Sequence, residues 1–534
     1  MKEQVDLMSA YKLTGGETLG IELGSTRIKA VLIDENCNPV ASGSHNWENK
    51  LENGYWSYSL DDVWAGVRDA YSSLNREVLR LSGSYIKTLS AIGFSAMMHG
   101  YLPFDKNGRQ LAEFRTWRNT STAAAAGELT ALFGFNIPQR WSIAHLYQAI
   151  LNGEEHVKDI DRITTLAGYV HYMLTGVQAV GIGEASGMFP IDSSINNYDA
   201  EMLDKFSALP QVKKYSWNIR ELLPKVMLAG ENAGTLTEKG AALLDESGNL
   251  QPGILMCPPE GDAGTGMAAT NSVREKTGNV SAGTSIFSMV VLQKPLKNVY
   301  EEIDMVTTPA GRPVAMVHCN NCCTDLDHWV DLFYEVAESC GCDITKPQLY
   351  DKLYEKALWG SADCGGIVNY NCFSGEPVLH TDSGVPLLIR KTDAQFSLAN
   401  FFRAQIFSAL AALKTGMEIL DGEGVSIECI NGHGGLFKTP VAGQKLLAGA
   451  LNTPVAVTKT AGEGGAWGIA LLARYAADTK GETLEDYLDQ YVFSGSESSV
   501  ISPDENDVNG FAAYMDIYKK CLAAEISAAD ALNG

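Results

Sequence analysis

Two short turns carry residue types that can hold a phosphate. Gly24-Ser25-Thr26 is followed by Arg27 and Lys29, and Gly283-Thr284-Ser285 repeats the pattern close to half the chain later. Glycine lets a backbone approach an anion, hydroxyl and N–H groups donate to it, and nearby cations add charge. Each turn is also what an ordinary hairpin needs. The paired occurrence, strand then Gly with two hydroxyl residues then strand at the head of each half, suggests a duplicated domain gripping a polyphosphate from two sides.

Further candidates lie between and after the turns. Asp262 sits among small residues in Pro258-Pro259-Glu260-Gly261-Asp262-Ala263-Gly264-Thr265-Gly266, where a carboxylate can accept a hydroxyl proton or cap the helix that follows. Met98-His99-Gly100 follows an apolar strand, so His99 can serve a polar ligand or pack. Trp117-Arg118-Asn119 can stack on and hydrogen-bond a polyol, although tryptophan in a loop mostly packs. Asn431-Gly432-His433-Gly434-Gly435 reads as a loop between strand and helix, placed to lie against a nucleotide or to serve as a tight packing turn. Neither a dinucleotide fingerprint nor a Walker A motif occurs.

These residues need a sizeable scaffold, and 534 residues, 45% hydrophobic and 20% charged, supply two globular cores rather than a disordered chain. A net charge of −23 argues against nucleic-acid backbone binding, and no apolar run is long enough to span a membrane. The polar leader 1–16 lacks a signal-peptide core, so the eleven cysteines are expected to be reduced cytoplasmic thiols. Cys319, Cys322, Cys323, Cys340 and Cys342 loosely resemble a zinc ribbon. The pattern from Thr324 to Ser339 predicts a helix that holds the two groups roughly 25 Å apart, too far to share an ion.

The elements follow from periodicity. Thr18–Leu23, Ile28–Ile33 and Val40 onward predict a meander. Ser59 caps a helix whose Val63, Trp64, Val67, Tyr71 and Leu74 share a face. Leu89–Ser95 predicts a buried strand, and a helical, loop-rich middle runs from Ala123 to Leu250. The second half repeats strands at Asn279–Ala282 and Ile286–Leu292. It then alternates: strand Val425–Ile430, helix Pro440–Leu451, strand Pro454–Thr458, small-residue loop Ala461–Gly465, helix Ala466–Ala473. That alternation means α/β.

With these motifs in place, the chain resembles the FGGY carbohydrate kinases along nearly its whole length, and within them is most similar to the xylulokinase branch. The resemblance rests on Leu19–Asp34, Ala96–Gly100, Glu184-Ala185-Ser186-Gly187, Gly261-Asp262-Ala263, Ser281–Ser285, Ser374-Gly375-Glu376-Pro377, Asn431–Leu451 and Ala461–Ala473, in colinear order. It implies two ribonuclease-H-like domains of the actin–hexokinase superfamily around a central cleft, residues 1–270 on the sugar side and 271–534 on the nucleotide side. It implies Asp262 as general base and Met98, His99, Trp117, Asn119 and Asp262 as sugar contacts. Gly24, Ser25, Thr26, Arg27, Gly283, Thr284, Gly434, Gly435 and Thr439 would hold nucleotide and phosphate, and Glu22 and Asp262 would serve Mg²⁺.

Departures from the family pattern fall mostly on the sugar side. Glu22 stands where aspartate is usual, Met97 where glutamine is usual, and Asn119 and Ser121 where aspartate and arginine are usual. The expectation is an ATP- and Mg²⁺-dependent kinase for a terminal hydroxyl of a ketopentose, D-xylulose first, with L-ribulose, L-xylulose or another polyol as alternatives. A catalytically silent sugar sensor and an actin-type ATPase scaffold are the rivals. The expected partners are a sugar and ATP, with no nucleic acid and no membrane. A homodimer is the assembly considered, in the cytoplasm.

Overall fold

A computed structural model describes residues 11–458, 464–495 and 498–533. The first ten residues of the leader, and residues 461–463 of the loop expected over 461–465, lie outside the described residues. The chain forms two compact units. The first takes Met1–Val273, Met305–Pro313 and Glu463–Gly495; the second takes Arg274–Asp304, Val314–Gly462 and Ser496–Gly534.

In the first unit the expected meander is present as β1 (Thr18–Leu23), β2 (Arg27–Ile33) and β3 (Pro39–Asn46). Helix α1 (Leu60–Ser82) follows; the Ser59 hydroxyl accepts the Asp62 N–H, and Gly83 closes the helix with φ 75°. Its predicted apolar face is buried with strand β4 (Ala91–Ala96) in one core. A four-residue helix, α2 (Ile182–Ala185), precedes two short strands, β5 (Leu255–Met256) and β6 (Glu260–Gly261), and helix α3 (Asp262–Ala269). The sheet order is β5-β4-β1-β2-β3, with β6 also on β4. β1, β2 and β3 are antiparallel, while β4 runs parallel to β1 and β5 and β6 run parallel to β4.

A helix from late in the chain, Gly464–Ala477, completes this unit. It packs so closely that a Cβ on Gly20 would lie 2.1 Å from the Ala466 carbonyl oxygen, and one on Gly93 2.7 Å from Ile469 Cγ1. Bare backbone on β1 and β4 is what lets the helix seat.

The second unit repeats the arrangement. β7 (Thr277–Ala282), β8 (Ile286–Val291) and β9 (Pro313–Cys319) are antiparallel. Helix α4 (Thr324–Ser339) has the bounds its periodicity predicts. Cys319, Cys322 and Cys323 are buried before it and Cys340 and Cys342 exposed after it, all free thiols. β10 (Cys429–Gly434), α5 (Ala442–Leu451) and β11 (Val455–Thr458) follow, β10 parallel to both β7 and β11. Both units therefore share one topology, an antiparallel meander whose first strand leads into two parallel strands. One element differs from expectation: the glycine-rich run Asn431–Gly434 is not a loop but the end of a strand, because β7 pairs with it through Ala282 and Gly434.

Candidate active site

Three parallel strand ends come level in the first unit. Glu22 and Leu23 of β1 pair with Ser95 and Ala96 of β4, which pair on the other side with Glu260 and Gly261 of β6. Beyond that line the chain supplies the first turn, then Met98 and His99, then Asp262. Ligands of open α/β sheets gather at this carboxyl edge.

Asp262 opens α3. Its Oδ1 accepts the Met98 N–H at 3.0 Å and the Ala263 N–H at 3.0 Å. Desolvation by the surrounding protein raises its pKa above the usual carboxylate value although the residue stays open to solvent, and those backbone donors oppose the rise. A carboxylate with a raised pKa accepts a proton more readily than an ordinary one. Glu22 Oε2 accepts the Ala466 N–H at 3.2 Å. Its pKa is pushed up to about 7, first by burial and then by the charge of Asp262, against the Ala466 N–H, Lys29 and Arg27. Two oxygen donors of this kind suit Mg²⁺, which takes one or two carboxylates and completes its shell with phosphate and water. Among the described residues no group of three or more His, Cys, Asp or Glu side chains is arranged to hold a metal by itself.

The two turns are built alike. In the first, Gly24 N–H donates to the Arg27 carbonyl at 3.0 Å, and three carbonyls are drawn back into the protein. Gly24 accepts from Trp47 Nε1 at 2.7 Å, Ser25 from the Tyr58 hydroxyl at 2.6 Å and Thr26 from the Trp47 N–H at 3.1 Å. The side chains of Ser25, Thr26 and Arg27 stay exposed. In the second, Gly283 N–H donates to the Ser285 carbonyl at 2.9 Å, and the Gly283 and Thr284 carbonyls accept the N–H groups of Cys323 and Cys322, both at 3.0 Å. Carbonyls turned away from a turn remove the groups that would repel an anion. The adjacent cysteines are thus part of the turn's support, which their sequence does not announce.

The sugar-side candidates divide. His99 is 5% exposed and has φ 71°, a conformation rare outside glycine. Its Nδ1 lies 3.3 Å from the Gly187 carbonyl oxygen, and its ring stacks on Trp141. Trp117 is 39% exposed. Asn119 is buried and its amide is committed: Oδ1 accepts the Trp56 N–H at 2.8 Å, and Nδ2 donates to the Trp56 and Thr116 carbonyls at 2.9 and 3.1 Å. It latches the wall that carries Trp117 instead of offering the amide to a ligand. Met97 lies in the hydrophobic core.

Among the expected nucleotide contacts, Gly434 has φ 99° and a Cβ there would meet the Ala282 carbonyl oxygen at 2.4 Å, whereas at Gly435 the same oxygen is 3.8 Å away. Gly434 is required by the strand pair; Gly435 is open. Thr439 is buried, its hydroxyl donating to Asp351 Oδ1 at 2.7 Å. The Ala461–Ala473 stretch, expected beside the nucleotide, supplies the Ala466 N–H to Glu22 within the first unit. Glu184 and Glu260 are both buried, Glu260 close to Asp262 in the chain and Glu184 joined to Glu260 through its N–H, and their sequence does not mark them as chemistry. The signal available was a glutamate in an otherwise small and apolar run.

A duplicated α/β unit with a carboxylate at the parallel strand ends and a hydroxyl-bearing turn in each half is the construction of a phosphotransferase. The comparisons with known proteins agree. The model of the FGGY family of carbohydrate kinases, N-terminal domain, matches residues 18–247, and its C-terminal domain matches 278–477. The chain belongs to the FGGY family of carbohydrate kinases, and it is a sugar kinase. A xylulose kinase of Haemophilus influenzae is 24% identical over 94% of this chain and 98% of that protein. Among solved structures, a ligand-bound xylulose kinase from Lactobacillus acidophilus covers 96% of this chain and 99% of its own at TM-score 0.76 and 17% identity. A gluconate kinase from the same organism does so at TM-score 0.77 and 17% identity. One fold carries both names, so the fold does not choose the sugar.

Proposed function

We propose that the protein transfers the terminal phosphoryl group of ATP to a primary hydroxyl of a ketopentose, D-xylulose first among them. The observation that carries this reading is Asp262, a solvent-accessible carboxylate fixed by the Met98 N–H at the sheet edge. Asp262 takes the proton of the attacking hydroxyl. The Met98–His99 strand end and Trp117 line the sugar side, with Asn119 holding their wall. Gly24, Ser25, Thr26 and Arg27 face phosphate from one turn, and Gly283 and Thr284 from the other. Gly434, Gly435 and the segment through Thr439 border the nucleotide, so residues 1–270 serve mainly the sugar and 271–534 mainly ATP. Glu22 and Asp262 are the groups that would hold Mg²⁺, which supplies charge neutralisation of the phosphates when bound. Eleven free cysteines suit a reducing, cytoplasmic setting. The xylulose kinases among the relatives support the choice of sugar.

The test is ADP release in a coupled assay over D-xylulose, L-xylulose, L-ribulose, gluconate and glycerol. D-xylulose is expected to give the highest kcat/KM. A higher value for any other compound replaces it as the substrate, and binding without turnover would mark a sensor. Asp262→Asn keeps the shape and removes the proton acceptor, so kcat should fall at least about 100-fold. A variant retaining a tenth of wild-type turnover would remove Asp262 from the role of base.

A further inference from the structure

Glu260 opens strand β6, two residues before the base. It is 2% exposed, and each of its carboxylate hydrogen bonds comes from backbone. Oε1 accepts the Gly183 N–H at 3.1 Å; Oε2 accepts the Glu184 N–H at 2.8 Å and the Gly261 N–H at 3.3 Å. The chain makes room for it. A Cβ at Gly181 would lie 2.1 Å from Glu260 Oε1, and one at Gly183 2.5 Å from Oε2. Burial pushes its pKa up to about 7 against those three donors. A buried ionisable group held by backbone N–H groups alone is costly, and it is seated in a glycine cradle shaped for it.

The contacts form a closed circuit. Asp262 accepts the Met98 N–H. His99, next in the chain, meets the Gly187 carbonyl. Gly187 N–H donates to the Glu184 carbonyl. Glu184 N–H donates to Glu260, and Glu260 leads through Gly261 back to Asp262. His99 is held in its left-handed conformation inside this ring, the kind of strain that persists only where the surroundings over-determine it.

We infer that Glu260 is a positioning residue for phosphoryl transfer: its carboxylate closes the circuit that fixes the base Asp262 at a set distance from the sugar-side pair Met98–His99. The inference rests on Asp262 being the base. Glu260 touches no reacting atom. It acts through the backbone of Gly183 and Glu184 on one side and through Gly261 on the other.

Two perturbations reach the circuit from opposite sides. Glu260→Gln turns an amide N–H₂ toward one of the backbone donors. Gly183→Ala leaves Glu260 intact and drives a methyl group into Oε2. Kinetics are run with whichever sugar the panel selects, at a temperature where circular dichroism shows each variant fully folded. A misplacement of about 1 Å costs up to 10²-fold in rate, so kcat should fall about 10- to 100-fold in both variants while KM for ATP stays within about twofold. A purely structural Glu260 would lower the melting temperature and leave kcat of the folded enzyme unchanged. That result, kcat within twofold of wild type in the folded variants, overturns the inference. So does a kcat loss matched by an equal rise in KM for ATP. Failure of the functional reading is separate and shows in the wild type and in Asp262→Asn.

Discussion

Gly465→Ala tests whether Glu22 works in catalysis. A Cβ at Gly465 would sit 2.3 Å from Glu22 Oε1 and 2.9 Å from Thr265 Oγ1, where ordinary contact begins at 3.4 Å. Oε1 must therefore retreat by about 1.1 Å, and it is the tip of a side chain whose other oxygen is tethered to the Ala466 N–H. The carboxylate yields and the backbone stays. Gly465 lies in the first turn of the Gly464–Ala477 helix, where alanine is the better helix former by up to about 1 kcal/mol. Stability should hold or rise while activity falls. A displacement of that size predicts a loss of about 100-fold in kcat, with sugar affinity by calorimetry unchanged and a raised Mg²⁺ requirement. Steady-state ADP release across a magnesium titration, with a thermal melt on the same sample, reads all three. Turnover within threefold of wild type in a folded variant would refute a working role for Glu22; a melt lowered by many degrees would refute the claim that only the side-chain tip moves.

Three further outcomes are expected. His99→Ala removes a polar contact worth roughly 0.5–1.5 kcal/mol, so kcat/KM for the sugar should fall about 2- to 12-fold with KM for ATP unchanged; equal loss on both substrates with a lower melting temperature would return His99 to packing. Gly435→Leu should fold and raise KM for ATP, whereas Gly434→Ala, forced against Ala282 at φ 99°, should lower the melting temperature; the reverse pattern would mean that the strand pairing is misassigned. Glu376 is fully buried, accepts the Asn321 N–H and side-chain amide, and has its pKa pushed up to about 7 by burial. Raised above its unfolded value, it contributes stability fully present below about pH 4.5 and lost as pH rises through 7. Glu376→Gln should therefore match wild type near pH 4.5 and exceed it at pH 8 by up to about 3 kcal/mol, as a melting-temperature gap that opens with pH; a gap that closes would reverse the assignment.

Local signals carried the elements that were legible in sequence. Ser59 and the apolar stripe behind it specify α1 without help from the rest of the chain, and the stripe from Leu326 to Val336 does the same for α4. The two hydroxyl turns were visible because each lies between strands that pair with each other. β10 was not, since Asn431–Gly434 has almost no side-chain pattern and is held extended by β7, whose sequence lies far upstream. The same distance hides what consumes a polar group. Asn119 and Thr439 are the right types for a ligand, yet Trp56 and Asp351 take their hydrogen bonds. Glu260 is the converse case. Its partners are backbone N–H groups, which every sequence has, and only the two glycines at 181 and 183 leave a trace.

The Gly464–Ala477 helix also bears on how the molecule can be made. It belongs to the first unit, yet most of the second is synthesised before it. On the ribosome β1 and β4 emerge early, with Gly20 and Gly93 leaving bare backbone where that helix will seat. The first unit cannot close until its last piece leaves the exit tunnel, so folding here is not one domain after another. Contacts of such long sequence separation form slowly, and the sheet face stays open in the meantime. Exchange of halves between related kinases meets the same constraint: a graft joined between the units must bring this helix from the same parent as the strands it covers.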